Sequence, residues 1–228
     1  MKVESTIIQN KFLRVKTLNY GASLYEVYCK KEKVNLILNL GSKENYRHKH
    51  ASVGSTCGRY AGRISNSKFK IGNKKYILNA NEGKNILHGG KIGFAAMPWK
   101  KVNHSKDKII YQLHSRDKDQ GFPGHLVVNC VYQLKKNSLL IKYEYKSNKS
   151  THVNLTNHSY WNLEKNKKKM IYNHELKLNS YKYLQTNKKL IPTGKFKNTK
   201  NSIYNFSNFE NIGKKLNYFK NKKINIKF

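Results

Sequence analysis

The residue types best suited to chemistry fall in three polar clusters. The first is Cys57-Gly58-Arg59-Tyr60-Ala61-Gly62-Arg63-Ile64. Only five of the 46 Lys and Arg residues are Arg, and two of them stand here, four positions apart. A guanidinium makes planar, bidentate contacts that an ammonium cannot, so this pair suits a ligand with paired oxygens. A turn with two solvated charges has the same sequence. The second cluster is Asn81-Glu82-Gly83-Lys84-Asn85-Ile86-Leu87-His88-Gly89-Gly90. A histidine followed by two glycines suits a place where backbone approaches a ligand closely. It equally describes a loop histidine at a strand end. The third is Asn154-Leu155-Thr156-Asn157-His158-Ser159-Tyr160-Trp161-Asn162-Leu163, which combines amides, hydroxyls, an imidazole and aromatic rings. A sugar site needs that mixture, with flat apolar faces for C–H surfaces and fixed polar groups for hydroxyls. A satisfied core histidine is the competing reading.

Metal and redox chemistry have little support in the sequence. His48 and His50 are two ligands without a nearby carboxylate or Cys, which do not complete a metal site, and the surrounding charge is positive. Cys29, Cys57 and Cys130 are far apart, odd in number and lack C-x-x-C spacing. They read as buried free thiols of a reducing compartment. Met1–Asn10 has no apolar core of a signal peptide, and no apolar run approaches the length of a bilayer span. The expected location is the cytoplasm, with no membrane partner.

The elements that must position these clusters read as strands. In His125–Leu134 the residues Leu126, Val128, Cys130, Tyr132 and Leu134 share one face. In Ser138–Lys146 the residues Leu139, Ile141, Tyr143 and Tyr145 alternate with Leu140, Lys142, Glu144 and Lys146. Period two marks a half-buried strand. Further strands are expected at Phe12–Leu18, Leu24–Cys29, Val34–Leu38, Lys75–Leu78, Ile109–His114, His152–Thr156 and Glu175–Leu178. Gly72-Asn73 and Phe122-Pro123-Gly124 supply turns between them. No stretch shows a sustained, capped 3.6 period. Many strands without long helices imply an all-β antiparallel sandwich or barrel.

Composition bears on partners. The formal net charge of the 228 residues is +34, which would suit a polyanion. The cations are scattered lysines, however, and the chain is rich in Asn, Ile, Tyr and Phe, residues that share A/T-rich codons. Sequence-reading nucleic-acid sites favour the scarce guanidinium. Coding bias therefore accounts for the charge. No specific nucleic-acid partner is expected, only nonspecific polyanion binding. The 16 Tyr and 9 Phe argue against global disorder.

Taken in order, the three clusters resemble the successive signatures of the aldose 1-epimerase (galactose mutarotase) family. Tyr20-Gly21-Ala22-Ser23-Leu24 is similar to the family's N-terminal strand entry. Ser115-Arg116-Asp117-Lys118-Asp119-Gln120-Gly121-Phe122-Pro123-Gly124 is similar to its acidic loop, and Leu190-Ile191-Pro192-Thr193-Gly194 to its later strand and turn. The resemblance implies an antiparallel β-sandwich of the galactose mutarotase type (a supersandwich), forming a single domain over 1–228. It implies cofactor-free interconversion of the α and β anomers of free aldohexoses such as galactose and glucose. His158 matches the proton donor at the ring oxygen, His88 an assisting histidine that also binds sugar, and Arg63 a sugar-binding arginine. Tyr160 would help line the pocket. An Asn often precedes the arginine in the family, and here Gly62 stands in its place.

Two of the family's residues have no counterpart here: a sugar-binding Asp, usually followed by His, and the C-terminal base Glu. The only Asp residues are Asp107, Asp117 and Asp119, and the acids after His158 are Glu164, Glu175 and Glu210. The resemblance thus implies a C-terminally truncated domain lacking its last strands, with little or no activity in isolation. The Lys-rich ending Phe219–Phe228 matches no family motif. A second polypeptide supplying the C-terminal part, a non-catalytic carbohydrate-binding protein and a basic nucleic-acid-binding protein are the other readings.

Overall fold

In the computed structural model, residues 2–48 and 52–221 are described. His50 and most of Phe219–Phe228 lie outside them. The chain divides into two compact units, residues 1–161 and 162–228.

The first unit is built on two four-stranded sheets. One runs β1 (Ser5–Gln9), β2 (Leu13–Leu18), β3 (Ser23–Cys29) and β4 (Val34–Asn35) in sequence order. Short ladders follow: β5 (Thr56–Cys57), β6 (Arg63–Ile64), β7 (Lys68–Ile71), β8 (Lys74–Ile77) and β9 (Ile86–Leu87). The second sheet is β10 (Lys100–His104), β11 (Lys108–Ser115), β12 (Leu126–Lys135) and β13 (Ser138–Ser147), again in sequence order. β14 (Thr156–Asn157) returns to pair with β5. Every strand ladder among the described residues is antiparallel.

The period-two pattern explains the core. Leu126, Val128, Cys130, Tyr132 and Leu134 all face inward on β12. They meet Ile8, Leu13, Val15, Leu24 and Val27 of the first sheet in one apolar cluster. Each such side chain contributes about 1.5–3 kcal/mol on leaving water. Polar atoms trapped between the sheets are paired. Thr17 Oγ1 lies 2.9 Å from the Tyr111 hydroxyl, and the Tyr132 hydroxyl donates to the Ala22 carbonyl at 2.6 Å. On β13, Leu139, Ile141 and Tyr143 pack on this core, whereas Tyr145 is exposed. The expected extended run at Val34–Leu38 shortens to two paired residues, and His152–Thr156 to the start of β14.

Cys57 and Cys130 are buried free thiols, and Cys29 is half-buried. Burial pushes the Cys57 thiol up to about 11 and Cys130 up to about 12, so both stay protonated and inert.

The second unit holds β15 (Glu175–Leu176), β16 (Lys182–Thr186), β17 (Pro192–Asn198), β18 (Glu210–Asn211) and a helix, α1 (Ile212–Asn221). β15 pairs with β18, and β16 with β17. Sequence reading missed α1. Its cap is Asn211, whose side-chain oxygen accepts from the Lys214 N–H at 3.0 Å. No helix of the described residues is long and apolar enough to cross a membrane.

Candidate active site

The three clusters converge because the third threads between parts of the first. Ala61 N–H donates to the Asn154 carbonyl at 2.7 Å, and the Asn154 amide returns a bond to the Ala61 carbonyl at 2.9 Å. One step on, the β5–β14 ladder pairs Cys57 with Thr156 and Thr56 with Asn157. His158 is then fixed through its backbone: it donates to the Ser55 carbonyl at 2.8 Å and accepts from Gly54 N–H at 2.9 Å. Asn157 braces the same turn. Its Nδ2 donates to the Gly54 carbonyl and to the Tyr132 hydroxyl at 2.9 and 3.3 Å. Its Oδ1 accepts from the Ser159 hydroxyl at 2.6 Å.

The second cluster arrives through the β6–β9 ladder, which pairs Arg63 with Leu87. His88, Gly89 and Gly90 follow with φ of 52°, 85° and 108°. The glycines do allow close backbone approach, but the partner is the protein itself. A Cβ at Gly89 would lie 1.9 Å from the Gly58 carbonyl oxygen, and one at Gly90 would lie 2.5 Å from Gln120 Oε1.

These segments border an open, shallow cavity of about 560 Å³. Gly62, His88 and His158 line it, with Asn154, Asn157 and Ser159 among their neighbours. The His88 and His158 rings stand edge-on, 5.3 Å apart at 89°. Tyr160 also packs on His158, its ring centroid 5.0 Å away. Arg63 and Tyr160 are thus beside the lining rather than part of it.

Hydrogen bonding sets the His88 tautomer. Its Nδ1 accepts from Gly62 N–H at 3.1 Å, so the neutral ring carries its proton on Nε2. Burial, reinforced by His158 and Arg63 and opposed by Glu82, holds His88 below the ordinary imidazole range. Neutral His88 is therefore a donor through Nε2 at physiological pH.

The two arginines of the first cluster have different tasks. Arg59 is 1% exposed. Its guanidinium donates to the carbonyls of Pro123, Gly124, Ser115 and Arg116 and to the Ser115 hydroxyl. It is a staple for the acidic loop, and desolvation lowers it to about 10 against the pull of Asp119 and Asp117. Arg63 is forked onto Glu82: its Nε and one terminal nitrogen each donate to a carboxylate oxygen at 2.7 Å. Sequence reading quoted Glu82 without giving it this role. The available signal was a lone carboxylate between two cationic motifs.

Among the described residues no group of three or more His, Cys, Asp or Glu could hold a metal ion. A concave pocket with two adjacent imidazoles, amides and hydroxyls can bind a polyol and move protons within it.

The family model described as aldose 1-epimerase matches residues 4–228. A galactose mutarotase of Pongo abelii is 32% identical over 220 residues, covering 95% of this chain and 64% of that protein. An aldose 1-epimerase of Haemophilus influenzae is 36% identical over 207 residues, covering 88% and 60%. The solved aldose epimerase homologue from C. elegans superposes with a TM-score of 0.88 at 26% identity, covering 94% of this chain and 66% of that one. The galactose 1-epimerase of Lactobacillus acidophilus NCFM gives 0.86 at 30% identity, covering 95% and 65%. The chain therefore spans less than two thirds of the length of these relatives.

Proposed function

The chain belongs to the aldose 1-epimerase family, and from that premise we propose that its cavity binds a free aldohexose such as galactose or glucose. The observation that carries the reading is the pair His88 and His158, edge-on and lining one cavity. In this reading His158 donates a proton to the ring oxygen. His88, a neutral Nε2–H donor, binds sugar and assists. Arg63, held by Glu82, contacts hydroxyls, and Gly62 and Tyr160 complete the surround. Ring opening to the aldehyde, rotation about the C1–C2 bond and closure on the opposite face then interconvert the anomers. The step moves only protons, and the reading calls for no cofactor.

A base must remove the C1 hydroxyl proton while the ring oxygen is protonated. The 228 residues contain no Asp after Asp119 and no Glu after Glu210. Glu210 lies in the second unit, paired with Lys215 at 3.5 Å. Glu82 is engaged by Arg63. The reading therefore gives these 228 residues sugar binding and the acid half of the chemistry, and assigns the base half to none of their carboxylates. It places the chain in the cytoplasm, in keeping with its unpaired thiols.

Polarimetry and a galactose titration on the purified 228-residue chain test this together. The expected outcome is saturable galactose binding that His158→Ala and His88→Ala each weaken. Mutarotation should run at least about 100-fold below that of a full-length relative, the scale of one lost acid–base partner. Turnover equal to the relative's would show that a carboxylate within this chain is the base. Absence of galactose and glucose binding would remove the sugar-site reading. Steeply salt-dependent DNA or RNA binding without a sugar effect would replace it with the polyanion one.

A further inference from the structure

The two large sheets also meet along a seam between their end strands, β1 and β10, which do not pair with each other as a ladder. The seam is closed at both ends. At one, Gln9 N–H donates to the Lys106 carbonyl at 2.8 Å, and His104 Nε2 lies 3.2 Å from the Ile7 carbonyl oxygen. At the other, Trp99 N–H donates to the Asn19 carbonyl at 2.7 Å, and Tyr20 bridges to Pro98. Between these closures lies a second cavity, of about 250 Å³, that shares no lining residue with the histidine pair's cavity. At about 30 Å³ per water-sized group it has room for about eight such groups.

The floor of this cavity is buried and its rim is charged. Thr6, Trp99 and Tyr111 line it and are buried, whereas Glu4, Lys100 and Lys101 line it and are exposed. The floor is fixed: the Tyr111 hydroxyl lies 2.9 Å from Thr17 Oγ1, and the Trp99 indole N–H donates to the Phe94 carbonyl at 3.1 Å. Lys101 Nζ donates to Thr6 Oγ1 at 3.4 Å, which carries the ammonium across from β10 to β1. Glu4 is held by its backbone N–H, which donates to Asn19 Oδ1 at 2.9 Å. Burial raises the Tyr111 hydroxyl above its ordinary range, and the Glu4 charge adds to that push, so the carboxylate stands near the same floor.

Glu4 and the lysines of this cavity nevertheless form no ion pair. Among the described residues six carboxylates are paired with a Lys or Arg, and Glu4 is not one of them. In a chain with 46 cationic and 12 acidic residues, an unpaired carboxylate sharing a cavity with two lysines is the exception that needs a partner. A simple anion would meet Glu4 there, and a simple cation would meet the lysines. A molecule with both charges satisfies both sides through charge-assisted hydrogen bonds. We infer that the seam cavity binds a small zwitterion of the amino-acid class, its ammonium on Glu4 and its carboxylate on Lys101, over the floor of Thr6, Trp99 and Tyr111. The inference does not rest on the sugar reading.

NMR titration of the full chain with β-alanine tests it, with propionate and ethylamine as probes that each carry one of the two charges. Saturable shifts are expected for the backbone resonances of Glu4, Thr6 and Lys101 and for the Trp99 indole N–H. β-Alanine should bind about tenfold or more tighter than either single-charge probe. Glu4→Gln should bring β-alanine down to the level of propionate, and Lys101→Met down to that of ethylamine. Both side chains are exposed, so the thermal midpoint of each variant should match that of the native chain. Absence of saturable shifts at these residues would overturn the inference. So would propionate or ethylamine binding as well as β-alanine, or β-alanine binding unchanged in Glu4→Gln.

Discussion

Gly62 and His88 clasp each other in both directions. Gly62 N–H donates to His88 Nδ1 at 3.1 Å, and His88 N–H donates to the Gly62 carbonyl at 3.0 Å. The clasp orients the ring that lines the cavity and fixes which nitrogen bears its proton. It also holds a non-glycine residue at φ 52°, a conformation that costs on the order of 1 kcal/mol for an L side chain.

The glycines around this clasp differ in what they tolerate. Gly62 has φ +87°, yet a Cβ built there meets no atom within 4 Å. Gly62→Ala should therefore cost only the backbone term, about 1–2 kcal/mol. Gly62→Asn should cost less, because Asn tolerates positive φ. Gly89→Ala instead drives a methyl into the Gly58 carbonyl and should lose more than about 3 kcal/mol or fail to fold. Urea denaturation of the variants compares them. Equal losses at Gly62 and Gly89 would contradict the packing described.

The lowered affinity of His88 for a proton predicts an acid-sensitive fold. The unfolded chain protonates this imidazole near its ordinary value of 6.5, while the folded chain resists until lower pH. The unfolded state thus binds more protons as pH falls below 6.5, and stability drops through that window. The contribution is complete above it. Glu82 is also held below its ordinary 4.5, by Arg63, and its contribution fades at lower pH, outside this range. His88→Asn removes the titration while allowing Asn Oδ1 to accept from Gly62 N–H. The fall in melting temperature between pH 7.5 and 5.5 should be smaller in this variant. An identical fall would show that His88 does not set the acid limb.

Which parts of this arrangement can be read from sequence depends on how local their cause is. The strands at 109–114, 125–134 and 138–146 were legible because one buried face imposes strict alternation. β14 was blurred because only Thr156 and Asn157 pair, and the rest of its segment is held by single contacts to 54–61. The helix at Ile212–Asn221 was missed because its apolar stripe, Ile212, Leu216 and Phe219, runs through a single ten-residue element among lysines. His88 and His158 could be placed in one site only through ordered motifs resembling a known family, since no local rule links residues so far apart. A separation of 19 positions likewise hid Glu82 as the partner of Arg63. Composition also could not distinguish Arg59 from Arg63, because burial differs while the side chain is the same.

That last difference gives opposite outcomes for one chemical change. Arg59→Lys keeps the charge but replaces a planar fork with a single ammonium, which cannot reach the Pro123, Gly124, Ser115 and Arg116 oxygens together. A buried cation left with fewer partners should cost more than about 3 kcal/mol. The loss should appear as a lower urea midpoint and a loosened 115–124 loop. Arg63→Lys and Glu82→Gln break a pair that is only partly buried, with side-chain exposures of 23% and 38%. Such pairs contribute about 0–1 kcal/mol to stability, so the urea midpoint should barely move. If Arg63 contacts sugar hydroxyls, both substitutions should weaken galactose binding despite that small change. Glu82→Gln should do so by freeing the guanidinium from its fixed pose. An Arg59→Lys variant as stable as the native chain, or an Arg63→Lys variant with unchanged galactose affinity, would break the division of labour between the two arginines.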